Sequence, residues 1–156
     1  MTGQPSAAIP ASASKAMRQA IGPSAFLPSF LPVGYRFAGW KNESPNVAPV
    51  PGAPWFVVTF KRGTARLLWT VSVTPGAGGD QRCSDLSVGH ATVAGQATFW
   101  GPLTTYDPLG GGPRGRHVWR CVNSADAKRL ILDAFDQGPR LSISVMSRIV
   151  VSSSSA

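Results

Sequence analysis

The feature that most constrains the fold is an alternation of apolar and mostly polar side chains between Ala65 and Thr74, in which Leu68 is the exception. The apolar set occupies every odd position of this stretch: Ala65, Leu67, Trp69, Val71 and Val73. A period of two is typical of a β-strand with one buried face. The run Trp55 to Phe60 just before it is short, aromatic and β-branched, and "KRGT" separates the two runs. We therefore predict a β-hairpin within an antiparallel sheet.

Three further stretches predict more strands. Tyr35 to Trp40 forms the first, "HATVAGQATFWG" forms a pair that turns around Gly95, and Gly115 to Val122 forms the next. In that last strand, alternation places His117, Trp119 and Cys121 on one face and Arg116, Val118 and Arg120 on the other. Because tryptophan favours burial, we expect the Trp119 face to point to the core and the arginine face to point to solvent.

Two helices and a final strand complete the prediction. Ser14 is a candidate N-cap for a short helix that ends at Ile21 before Gly22 and Pro23. After Asn123, Ser124 is a second candidate N-cap, and the apolar residues that follow recur at helical spacing: Ala127, Leu130, Ile131, Ala134 and Phe135. From Leu141 to Val151 the pattern alternates again, which predicts a strand. The predicted fold is α+β, a single antiparallel sheet of about six strands with one long helix packed on it and a short N-terminal helix.

The length of 156 residues suits one domain. We expect a disordered tether over residues 1–13, one α+β domain over 14–151 and a flexible tail over 152–156. The start "TGQPSAAIPASAS" lacks the charged and apolar regions of a secretory signal. The chain is then either an intact cytoplasmic protein or, as we expect, a fragment of a secreted or membrane-anchored protein whose anchor lies outside this sequence.

The formal charge of +8 favours contact with polyanions. Arg116 and Arg120 are the centre of a candidate anion-binding stripe, which Arg114, Arg62 and Arg66 extend. The alternative is that these arginines only keep the surface solvated. Single-strand nucleic-acid readers place aromatic and cationic groups in the same groove, whereas Trp119 and the arginines fall on opposite faces here.

The two cysteines, Cys83 and Cys121, allow three interpretations: a disulfide, two buried thiols, or half of a zinc site completed by His90 and His117. The irregular gaps between these four residues are not typical of structural zinc sites. A disulfide fits an extracytoplasmic protein, and closing a loop of 38 residues would stabilise the fold by roughly 4 kcal/mol. A cytoplasmic location would favour thiols.

No catalytic signature stands out. "GGGPRG" matches a dinucleotide-binding pattern in form, but it contains Pro113 and leads into a strand rather than a helix. We assign no catalytic residue, no metal and no cofactor. A small hydrolase using His90 or His117 stays an alternative, and a bond from either histidine to an aspartate in a concave pocket would favour it.

Several short motifs together resemble a known class of domains. They are "LPVGY" at Leu31 to Tyr35, the hairpin between Val57 and Val73, "TVAGQATFWG", the strand from His117 to Val122, and "NSADAKRLILDAF". This order resembles small bacterial extracytoplasmic domains of lipoproteins and of the outer ends of anti-sigma factors, of the domain-of-unknown-function 4367 type. The resemblance implies an envelope-facing domain that is not an enzyme.

We therefore expect a non-catalytic extracytoplasmic domain of a bacterial envelope protein with a binding or sensing role. The expected partners are an anionic envelope polymer, a lipid headgroup or another envelope protein. A basic nucleic-acid-binding protein is the alternative from a different class.

Overall fold

A computed structural model of the protein describes residues 3–4, 9–23, 25–42, 55–73, 83, 89–102, 116–123, 129–136 and 141–155. The helices in these ranges are α1 (Ala11–Ile21) and α2 (Ile143–Ser152). The strands are β1 (Gly3–Gln4), β2 (Phe26–Leu27), β3 (Leu31–Pro32), β4 (Arg36–Asn42), β5 (Trp55–Arg62), β6 (Ala65–Val73), β7 (Gly89–Val93), β8 (Gln96–Pro102), β9 (Arg116–Asn123), β10 (Arg129–Asp136) and β11 (Ser154–Ser155).

Seven of these strands form one antiparallel sheet in the order β4-β5-β6-β10-β9-β8-β7. The α+β class is confirmed, with seven strands in place of about six. The predicted hairpin is β5 and β6, where Arg62 opposes Ala65 across a turn that contains Gly63 at a φ of 58°. Glycine adopts this left-handed conformation without the steric cost that a side chain adds.

The long helix predicted after Asn123 is wrong, because the structure forms β10 there. β10 lies between β6 and β9, with Leu132 opposite Val71 on one side and Arg120 on the other. Every residue of β10 after Arg129 is buried. A strand buried on both faces has a nearly continuous apolar run, and such a run also satisfies the spacing of a helical stripe.

The last strand, predicted from Leu141 to Val151, is also wrong, because that segment forms α2. The Ser142 hydroxyl caps the helix by accepting the Val145 N–H at 3.1 Å. The buried apolar positions of α2 follow helical spacing and are Met146, Ile149 and Val150. Serines interleaved with β-branched residues give the segment a period of two in sequence, but the cap and the buried stripe determine its structure.

The N-terminal helix begins earlier than predicted. α1 starts at Ala11, its N-cap is Pro10 without a side-chain cap, and Ser14 lies within its first turns. Ala13, Met17 and Ile21 are its buried positions. Short strands also occur in the expected tether and tail, where β1 pairs with β3 and β11 pairs with β2. The division into tether, domain and tail stays a prediction.

The two faces of the main sheet differ in what packs on them. On the helix face, Met17 of α1 and Ile149 of α2 join one large core cluster with Trp69, Val118 and Leu132. The other face, named here the distal face, carries a smaller cluster of Phe99, Trp119 and Ile131. The prediction that Trp119 points to the main core is therefore wrong. Its neighbour Val118 points to that core, so Trp119 points to the opposite face of the sheet.

Candidate functional site

A disulfide joins Cys83 to Cys121 on the distal face, with their Cα atoms 5.7 Å apart. Both half-cystines pack against the distal cluster, in which the rings of Phe99 and Trp119 stack at a centroid distance of 6.0 Å. Of the three interpretations that the sequence left open, the structure contains the disulfide. The zinc site is excluded, because the bond uses both sulfur atoms that would have to bind the metal as thiolates.

His117 and Asp133 form a buried pair near the centre of the distal face. The His117 Nδ1 lies 3.0 Å and 2.9 Å from the two carboxylate oxygens of Asp133, and the imidazole stacks on Phe135 at 4.6 Å. Both members are nearly inaccessible, with His117 at 7% and Asp133 at 5% exposure. Two neighbouring strands hold the pair, since Asp133 of β10 lies diagonally across from His117 of β9.

This pair is relevant to the hydrolase alternative, which requires a hydrogen bond between a histidine and an aspartate in a concave pocket. The bond is present. A cavity of about 250 Å³ lies beside the disulfide, and the described residues that line it are Cys83, Gln96, Ala97, Phe99, Arg120, Cys121 and Arg129. Neither His117 nor Asp133 is among them. The other candidate, His90, is exposed on the edge strand β7.

Arg120 has a structural role that the sequence did not predict. Its Nε donates to the Val150 carbonyl at 3.0 Å, and its Nη2 donates to the Ser153 carbonyl and hydroxyl. Those acceptors lie at the C-terminal end of α2, where carbonyls lack partners within the helix and a cation is favoured. Burial lowers the pKa of the Arg120 guanidinium, but an arginine stays charged at neutral pH.

The face predicted to expose Arg116 and Arg120 is thus the helix face. Arg116 is half-buried there and Arg120 is buried. Arg62 also lies on the helix side, with its guanidinium over the Tyr35 ring at 4.9 Å and within 3.4 Å of the Val33 carbonyl. Arg114 lies outside the described residues. Of the four described arginines, Arg66 lies on the distal face, whereas Arg62, Arg116 and Arg120 lie on the helix side. An anion-binding role for the five arginines stays a prediction.

A different group of cations does come together on the distal face. Arg36 lies directly opposite Lys61, which lies directly opposite Arg66, so that β4, β5 and β6 each contribute one cation. All three side chains are exposed. We name these residues the cationic row. The hairpin alone predicts that Lys61 opposes Arg66, whereas Arg36 could be added only once the pairing of β4 was known.

Trp40 is the other notable surface residue. It lies on the edge strand β4, stacks on Phe56 at 5.5 Å and is 44% exposed. A β-bulge between Phe37 and Gly39 adds one residue to β4, and this puts both Phe37 and Trp40 on the helix face. Among the described residues, Trp40 and Val33 are the exposed large hydrophobic side chains.

Comparison with known proteins finds a likeness at the level of the fold. No family model and no curated protein matches the sequence, so the resemblance to the 4367 type is not confirmed. Among solved structures, the chain is similar to MucB in a complex with MucA(peri), with a TM-score of 0.52, 16% identity, and coverage of 84% of this chain and 36% of that one. A Pseudomonas aeruginosa MucA/MucB complex gives a TM-score of 0.49 and 16% identity, with coverage of 84% of this chain and 35% of that one. This chain thus spans little more than a third of the MucB length and shares a fold with that part.

Proposed function

We propose that this chain is a non-catalytic domain of the bacterial cell envelope that binds another envelope protein. The observation that carries the proposal is the fold shared with MucB, a protein whose solved structure is a complex with MucA(peri). Fold alone does not determine function, so the partner-binding role is our inference from that likeness.

The disulfide supports the envelope location. Disulfides persist in oxidising compartments and are rare where thiols are kept reduced. Cys83 and Cys121 are the two cysteines of the chain, and the structure bonds them to each other. No helix in the described ranges has the length and apolar character that spanning a membrane requires.

The non-catalytic role is supported by the environment of the titratable side chains. His117 and Asp133 are buried against each other and against Phe135, away from the cavity beside the disulfide. These contacts favour a structural role for the pair within the sheet.

The exposed Trp40 is the position from which we would search for the partner. Exposed tryptophans are enriched among the residues that contribute most to protein interfaces. Trp40 is accessible on an edge strand and is held in place by stacking on the buried Phe56. A rigid aromatic group of this kind loses little conformational entropy when a partner covers it.

Site-specific photo-crosslinking in the native bacterium tests the proposal. A photoreactive phenylalanine replaces Trp40, and the matched control replaces Thr92, an exposed residue on the opposite edge strand β7. We expect a discrete adduct with one envelope protein from position 40 and none from position 92. An adduct from position 92 alone would support binding to an envelope protein but would place the binding surface on β7 and not at Trp40. Absence of any envelope-protein adduct from both positions would contradict the proposal.

A further inference from the structure

The cationic row is unusual because its three charges lie directly opposite one another. Neighbouring strands are about 4.8 Å apart, so the row from Arg36 through Lys61 to Arg66 extends over about 10 Å. Like charges in directly opposed positions of a sheet destabilise it. The mutual repulsion of these three residues is therefore unfavourable for the fold.

No carboxylate compensates the row within the described part of the chain. The acidic residues described there are Asp133 and Asp136, and both are buried. None of the three cations has an ion-pair, hydrogen-bond or ring partner among the described residues. By contrast, Arg62 and Arg120 on the helix face contact carbonyl groups of the protein itself. Within the described part of the chain, the row is therefore a surface that an external anion can neutralise.

We propose that the cationic row binds an acidic, extended segment of the partner protein. The inference rests on the proposed function, because it assigns a surface and a chemistry to that partner. The guanidinium groups of Arg36 and Arg66 stand at the two ends of the row, and their planar geometry suits paired hydrogen bonds to carboxylates. In an extended peptide, side chains on one side repeat about every 6.8 Å, so acidic residues two positions apart reach neighbouring parts of the row.

Other polyanions fit the surface less well. Basic segments that bind lipid headgroups carry clusters of about four to eight cations, more than the row provides. Single-stranded nucleic acids need aromatic side chains beside the cations. Among the described side chains, the exposed aromatic one is Trp40, which lies on the helix face, whereas the row lies on the distal face. A second copy of this chain would present the same positive charges and be repelled.

Peptide binding to the full chain tests the inference. The probe is a fluorescein-labelled peptide of alternating aspartate and serine, measured by fluorescence anisotropy, with an asparagine and serine peptide as the neutral reference. The row variant is Arg36→Gln/Lys61→Gln/Arg66→Gln. The matched control, Lys15→Gln/Arg18→Gln/Arg129→Gln, removes the same charge from exposed residues elsewhere.

We expect the row variant to bind the acidic peptide about tenfold more weakly than the wild type, since three exposed ion pairs are lost. The control should stay within about twofold, and physiological salt should weaken wild-type binding because it screens exposed charges. Circular dichroism and thermal unfolding would show that both variants are folded. Equal losses of peptide affinity in the two variants would mean that net charge alone determines binding, and this would overturn the inference.

Two further binding measurements distinguish an acidic protein segment from lipid headgroups and from nucleic acid. Vesicles of phosphatidylglycerol and phosphatidylcholine, and an oligothymidylate, are titrated with the same three proteins. Tighter row-dependent binding to either one than to the acidic peptide would overturn the assignment to a protein segment. A retained crosslink at position 40 with unchanged peptide binding by the row variant would overturn this inference alone and leave the proposed function standing.

Discussion

The helix face and the distal face of the sheet use their charged residues in different ways. On the helix face, Arg120 and Asp136 are buried, with Arg120 bonded to the end of α2 and Asp136 accepting the Leu141 N–H at 2.9 Å. On the distal face, Arg36, Lys61 and Arg66 project into solvent. The charges of Arg120 and Asp136 therefore serve the fold, whereas the three charges of the cationic row are exposed to solvent.

The central part of the distal face differs again from its cationic end. The disulfide, the stacked Phe99 and Trp119 rings, and the His117 and Asp133 pair are all in this part. Burial of polar groups there is matched by bonds between them, as the low dielectric of a protein interior requires. The helix face and the central part of the distal face thus serve the structure, and the cationic row forms a separate surface region. The following substitutions test that division.

The largest effect is expected from removal of the disulfide. The double substitution Cys83→Ser/Cys121→Ser should lower the free energy of unfolding by about 4 kcal/mol and the melting temperature by about 10 °C, because it removes a cross-link that restricts the unfolded chain. Reduction of the wild type should give the same shift. Mass measurement after alkylation, with and without reductant, checks the bond, and two freely alkylated thiols in the native protein would contradict it.

A somewhat smaller loss is expected on the helix face. Arg120→Met keeps the length of the side chain but removes the guanidinium donor to the Ser153 carbonyl and one of the donors to the Val150 carbonyl, so we expect a loss of about 3 kcal/mol. The control is Arg66→Met, an exposed cation of the row, which should change stability by less than about 0.5 kcal/mol. Denaturant unfolding measures both. Equal losses from the two substitutions would remove the distinction between structural and surface arginines.

The buried pair of the distal face should contribute less. His117→Phe keeps the stacking on Phe135 but removes the bond to Asp133, and we expect a loss of about 2 kcal/mol. Adding Asp133→Leu should restore most of it, because a buried pair replaced by apolar groups of similar volume is close to neutral. A double-mutant cycle measures the coupling. Additive losses would show that the two side chains do not stabilise each other.

Much of the sheet could be predicted from sequence because its strands show local signals. Alternation from Ala65 to Val73 and the glycine between the two runs identify β5 and β6. β10 and α2 could not be assigned in this way. The run "RLILDAFD" satisfies helical and buried-strand patterns alike, and only its pairing with both β6 and β9 decides between them.

The candidate site could be predicted only where the identity of one residue determines its partner, as it does for the two cysteines. The two cysteines of the chain favoured one bond, and the structure has it. Alternation correctly predicts that Arg116 and Arg120 lie on the face opposite Trp119. It does not predict that the helices cover the arginine face, because sequence periodicity does not say which face of a sheet the helices pack on. The cationic row depends on the pairing of β4 with β5, a contact between segments that sequence periodicity does not specify.

The smallest effect is expected within the cationic row, and its sign is informative. Lys61→Gln removes the middle charge between Arg36 and Arg66, so it should leave stability unchanged or raise it by up to about 0.5 kcal/mol at low salt. The gain should vanish at high salt, where screening shortens the range of charge repulsion. The control is Lys15→Gln on α1. A loss above about 1 kcal/mol would mean that the fold depends on the row, whereas a gain in stability together with weaker binding of the acidic peptide would identify these charges as a surface kept for a partner.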